Sequence, residues 1–334
     1  MLSHVNAPGA ANMLHKLRLL QVLIELPSLD EVRCKIENVP AFSDLKVLDE
    51  ESKIRLSNEK FHAYGMAALL LYSRSRTRSS VAAANHMAIR MAILSAASAG
   101  YAVRSRKKNS LRCMELAEFL LVNSLKMRNK DVELVLQLHH ASRVISHLLR
   151  RLVVAGVWSK ATSSVSYNGF DEVAAYGGLN RIELGECVIN GGNYTHEAID
   201  LAFSLLQLEI LQNGDLSGTA AAGGKDIEAI VAALHQEAEG AAKTTDFRIH
   251  PNILLLKEAR VTMLEAIETL QLQECWQQQP LINGTALKAI LTNIPLGTAF
   301  GLIMEHQSRW MLAHPAGTAA SLERDLKLKY QEYV

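Results

Sequence analysis

Leucine, isoleucine, valine, methionine and alanine recur at three- and four-residue steps through Met114–Leu125, Val132–Val157, Ala198–Leu211 and Ile227–His235. That is the period of a helix with one apolar face, and it returns in Ile253–Leu272, Leu287–Leu291 and Leu322–Tyr333. No proline interrupts the chain between Ala41 and His250, so long helices are permitted there. Ser28 and Glu31 stand at capping-box spacing after Pro27 and predict a further helix start. Leu17–Leu26 is apolar but broken by Arg18, Gln21 and Glu25, which predicts an amphipathic helix. Strand patterning is confined to Arg181–Asn190, an alternation of Ile and Val between Gly177-Gly178 and Gly191-Gly192. The predicted fold is all-α, in two helical lobes, with one short β-hairpin near residues 181–190.

Trp158–Asn193 carries a Ser/Thr/Gly-rich run and both glycine pairs, the composition of a connection. The predicted organisation is an N-terminal helical lobe with a basic surface (1–157), a connection (158–193) and an acidic C-terminal helical lobe (194–334). No repeat of fixed period and no sustained heptad run occurs, which argues against a solenoid and a long coiled coil.

Composition adds little to this picture and excludes several classes. Of 334 residues, 49% are hydrophobic and 21% charged, as in an ordinary globular protein. Cys34, Cys113, Cys187 and Cys275 are widely scattered and form no C-x-x-C pair, which suits a reducing compartment. Met1–Asn12 has no signal-peptide pattern. The most apolar long window, Ser80–Val103, contains His86 and Arg90 and does not read as a membrane span. An intracellular protein is expected, cytoplasmic or held within a nucleoprotein particle, with no membrane partner.

Charge changes the picture more. The net charge is only +1, yet residues 61–165 hold 16 Lys/Arg against 4 Asp/Glu, while residues 166–334 hold 11 against 21. From Phe61 to Met114 there are nine basic residues and no acidic one. Arg74, Arg76 and Arg78 form one cluster, Arg104, Arg106, Lys107, Lys108 and Arg112 a second, and Arg90 lies between. Arg143, Arg150 and Arg151 follow on a predicted helix. Arginine forks and neighbouring hydroxyls suit phosphate oxygens, so these twelve residues are the candidate contacts to a nucleic-acid backbone, RNA or DNA. Two other readings compete: the basic half meets the acidic half of another copy in a homo-oligomer, or it is a solvated surface. Aromatic residues make up only 5%, which favours backbone neutralisation over base stacking.

Catalytic patterns are weak. Gly218–Lys225 resembles a phosphate loop, but Gly224 occupies the lysine slot and Asp226 follows Lys225. His196-Glu197 lacks the second histidine of a zinc protease helix. His139, His140 and His147 share a helix with Arg143, which makes a helical nuclease the alternative reading, beside a protein–protein adaptor. No cofactor or metal is implied by any of these patterns. The leading expectation is a non-enzymatic nucleic-acid-coating or assembly protein, of nucleoprotein or coat type.

Overall fold

The computed structural model describes residues 7–35, 45–75, 86–107, 110–156, 162–216, 226–238, 250–295 and 297–334. It is mostly helical, with two small antiparallel sheets. In chain order the first elements are α1 (Ala7–Lys16), α2 (Leu19–Leu23), β1 (Val32–Cys34), β2 (Lys46–Val47), α3 (Glu50–Arg55), α4 (Asn58–Ser75) and α5 (His86–Leu94). There follow β3 (Tyr101–Lys107), β4 (Ser110–Glu115), α6 (Leu116–Phe119), a π-helical turn at Leu120–Ser124, and α7 (Asn129–Ala155). Next come β5 (Thr162–Tyr167), β6 (Phe170–Tyr176), β7 (Leu179–Asn180), α8 (Arg181–Gly191), α9 (Thr195–Asn213) and α10 (Ile227–Ala238). The chain closes with α11 (Pro251–Thr269), α12 (Gly284–Ile290), α13 (Thr298–Ala313) and α14 (Ala319–Lys329). Two compact units result: unit 1 is residues 1–154 and 194–258, and unit 2 is residues 155–193 and 259–334.

Unit 1 is built round α4. Phe61, His62, Ala63 and every residue from Met66 to Tyr72 are buried, so this helix shows no solvent face over three turns. Such a helix must be covered on all sides, and α1, α5, α9 and α10 cover it. Gly65 makes the closest approach, since a Cβ there would strike the backbone of Leu94 at the end of α5. On α7 the buried residues Val132, Val135, Leu138, Ser142, Ile145, Leu149 and Leu152 follow the helical period. A four-stranded sheet, in the order β2-β1-β3-β4, flanks these helices within the unit.

Unit 2 pairs a three-stranded sheet, β5-β6-β7, with α8, α13 and α14. Gly177 and Gly178 turn β6 into β7 with φ of 61° and 80°, a conformation side chains rarely adopt. Gly177 also faces the Thr262 methyl group on α11, where a Cβ would not fit.

Three local expectations are corrected. The hairpin expected near residues 181–190 is α8 instead: the Asn180 side chain accepts from the Glu183 N–H and caps the helix. The buried residues Arg181, Ile182, Leu184, Gly185 and Val188 follow three- and four-residue steps, and the two-residue alternation was incidental. Strand pairing lies before that segment in the chain, in β1–β4 and in β5–β7, so all-α holds only approximately. Ser28 and Glu31 start no helix. One turn ends at Glu31, and Val32–Cys34 pair with Tyr101–Val103, because Val32 and Val103 are both buried there. Met114 and Glu115 close strand β4 before any helix begins.

Gly65→Ala is expected to lower the unfolding free energy by about 1–3 kcal/mol, because the wall it strikes is backbone and cannot rotate away. A drop in the urea midpoint of the full chain, with little change in helical circular dichroism at low urea, is the result to look for.

Candidate nucleic-acid interface

The basic candidates among the described residues lie in unit 1, on the β3–β4 hairpin, α4, α5 and α7. The second cluster occupies the β3–β4 hairpin, whose register sets Arg104 opposite Cys113, Ser105 opposite Arg112, Arg106 opposite Leu111 and Lys107 opposite Ser110. The strands thus draw Arg104, Arg106, Lys107 and Arg112 into one two-stranded ribbon. Arg104 is exposed; Lys108 lies outside the described residues. Helix α7 contributes Arg143, half-buried, whose Nη1 would lie 3.6 Å from a Cβ on Gly100. Gly100 immediately precedes β3, so Arg143 stands at the root of the ribbon. At that root Lys35 Nζ also meets Glu115 Oε1 at 2.7 Å.

The other candidates are elsewhere. Arg74 sits near the end of α4, exposed, with its guanidinium donating to the Leu234 carbonyl of α10. Arg76 and Arg78 lie outside the described residues. Arg90 is half-buried on α5, and Arg151 is exposed on α7. Arg150 forms a forked pair with Glu209 of α9, Nη1–Oε1 at 2.8 Å and Nη2–Oε2 at 2.7 Å, and donates to the Leu216 carbonyl at 2.6 Å.

The linear charge partition does not coincide with the units. Acidic residues of the 194–258 segment fold with the basic stretch, so unit 1 holds 27 Lys/Arg against 23 Asp/Glu and unit 2 holds 8 against 11. The pairs are visible: Lys60 bonds Asp226 and reaches Glu228 at 2.8 Å, and Arg150 takes Glu209. Separation along the sequence hides such pairs from any reading by position.

The α7 histidines diverge. His139 is buried, its Nε2 2.7 Å from the Ala92 carbonyl and 3.5 Å from Ser95 Oγ, and burial pulls its pKa down. It is a core residue. His140 and His147 are exposed, two turns apart. Desolvation lowers the His140 pKa, and Arg143 lowers it further. The phosphate-loop resemblance at Gly218–Lys225 lies outside the described residues except for its flanking Asp226.

Unit 2 holds a polar cluster that periodicity did not reveal. His306 on α13 is 7% exposed, with Nε2 2.7 Å from Asp325 Oδ2 and Nδ1 3.0 Å from Lys329 Nζ, both on α14. A neutral ring donating to the carboxylate and accepting from the ammonium satisfies both contacts. The ring stacks on Phe170 at 5.3 Å and meets Tyr330 edge-on at 5.7 Å. Burial lowers its pKa and the Asp325 bond raises it. Both nitrogens are engaged within the fold, so the cluster latches α14 onto α13 and leaves no nitrogen for a substrate. The i, i+4 spacing of Asp325 and Lys329 was the legible half of this signal.

Among the described residues no group of three or more His, Cys, Asp or Glu is placed to hold a metal ion. No described helix is long and apolar enough to cross a membrane. No known protein family matches the chain, and no curated protein or solved structure shows significant similarity to it.

Beneath α1 and α2, His62 is buried with its Nε2 unbonded among the described residues, and its pKa is lowered to about 4 by desolvation and then by His15. The unfolded state takes up this proton near pH 6.5 and the folded state only near 4, so stability is full above 6.5 and is lost as pH falls through that window. Acidifying from pH 7 to 5 should cost about 2 kcal/mol through His62 alone. Urea unfolding at both pH values should show it, and His62→Leu should shrink the difference by about that amount.

Proposed function

We propose that the chain is a non-enzymatic nucleic-acid-coating or assembly protein that engages phosphate backbone through unit 1. The observation that carries this reading is the β3–β4 ribbon, in which Arg104, Arg106, Lys107 and Arg112 share one hairpin inside a 54-residue stretch free of acidic residues. Arg143 stands at its root, and Lys108 follows Lys107 in the sequence. In this reading Arg74, Arg76, Arg78, Arg90 and Arg151 add general positive field. Arg150 serves the fold through Glu209. Contacts of this kind neutralise charge and read little sequence, so RNA and DNA single strands should bind alike. A coat of this type works as a homo-oligomer inside the cell, in the cytoplasm or in a nucleoprotein particle.

The test is binding to an unstructured RNA and a DNA of equal length, titrated across salt. Each phosphate neutralised on a single strand contributes about −0.7 to the slope of log affinity against log salt. Replacing Arg104, Arg106, Lys107 and Lys108 with alanine should flatten that slope by up to about 3. Arg150→Ala should leave the slope alone and instead lower stability by about 1–2 kcal/mol, as loss of a half-buried pair does. Absent or salt-independent binding by the unaltered chain overturns the reading.

A further inference from the structure

Unit 1 displays a dense apolar ridge. Ala11, Leu20 and Ile24 of the α1–α2 segment are buried, and both helices pack on α4. On the outer side Met13, Leu17, Leu19, Val22 and Leu23 are exposed, Val22 at 76% and Met13 at 65%. Scattered apolar side chains on a surface are ordinary, but five within residues 13–23 of a docked segment form a patch of the kind that marks an interaction site.

Unit 2 carries a recess that suits it. Ile189, Trp276, Pro280, Met304 and Met311 line a pocket of about 160 Å³, which shares Cys275 and Gln278 with a cleft of about 500 Å³ walled by glutamines and Glu274. Small-molecule sites usually occupy about 300–1,000 Å³, so the apolar pocket is sized for an anchor side chain of a protein partner. Methionine walls adapt to such an anchor. Charge is complementary as well. Met1–Ile24 contains no Asp or Glu, and Lys16 and Arg18 are exposed on the ridge. Val261–Leu287 contains no Lys or Arg, and Glu268 and Glu274 are exposed there.

We propose that the α1–α2 ridge of one copy docks into the Trp276–Met304–Met311 pocket of a second copy, with Leu17 and Val22 as anchors and Lys16 and Arg18 facing the glutamates. The two patches differ, so the contact is heterologous and every copy offers both halves; copies then add head to tail into a ring or a filament. The purpose of this contact rests on the coat reading, whereas the contact itself needs no nucleic acid.

Sedimentation velocity of the full chain across a concentration series, without nucleic acid, tests it. Two variants change exposed residues: Leu17→Ser with Val22→Ser on the ridge, and Trp276→Ser with Glu274→Lys at the pocket. Unaltered chain should grow past the dimer with concentration, and each variant should associate at least tenfold more weakly while keeping its melting curve. An equimolar mixture of the two variants should form a dimer and nothing larger, because one intact ridge meets one intact pocket. A chain that stays monomeric throughout overturns the proposal. So does assembly by either variant as strong as that of the unaltered chain, or a mixture that restores nothing. The ribbon alanine variant should assemble normally while losing RNA, so loss of RNA binding with intact assembly counts against the coat reading alone.

Discussion

Burial of α4 on every side is the constraint on which unit 1 depends. A helix of about three and a half residues per turn that is apolar all round needs neighbours all round. Nearby sequence supplies α1 and α5, and the remaining sides are covered by α9 and α10, which arrive after the chain has passed through β5, β6, β7 and α8. The price is topological: both units become discontinuous in sequence. It also decides the electrostatics. Bringing α9 and α10 to α4 brings Glu209, Asp226 and Glu228 into a unit rich in arginine and lysine, where Arg150 and Lys60 take them up.

The helices whose apolar residues recur at three- and four-residue steps were legible from spacing alone, α7, α9, α10, α11 and α14 among them. What escaped had physical causes. In β3 the residues Arg104, Ser105, Arg106 and Lys107 show no apolar alternation, so the strand reads as a charge cluster. In α8 a short apolar run fits both periods, and the Asn180 cap decides for the helix. At Ser28 the capping chemistry is present, but burial of Val32 against Val103 outweighs a single cap of about 1 kcal/mol. The basic residues themselves were readable. Their division into a ribbon, a paired Arg150 and an Arg74 bound to Leu234 depends on contacts between distant segments, which no local pattern encodes.

Pairing inside unit 1 therefore acts as a filter on the charge map. Glu209, Asp226 and Glu228 reach α7 and the start of α4. At the root of the ribbon Lys35 engages Glu115. A cation with a carboxylate partner at hydrogen-bond distance, as Arg150 and Lys60 have, must give it up before it can serve a phosphate. The phosphate reading therefore rests on the grouping of basic residues within one hairpin, and not on the total of basic residues. The same logic separates the two surfaces proposed for the chain. The ribbon is polar and salt-sensitive by nature, whereas the α1–α2 ridge is apolar and gains strength as water is expelled. Raising salt weakens the first and spares the second, so a coat built on both would release nucleic acid before it came apart.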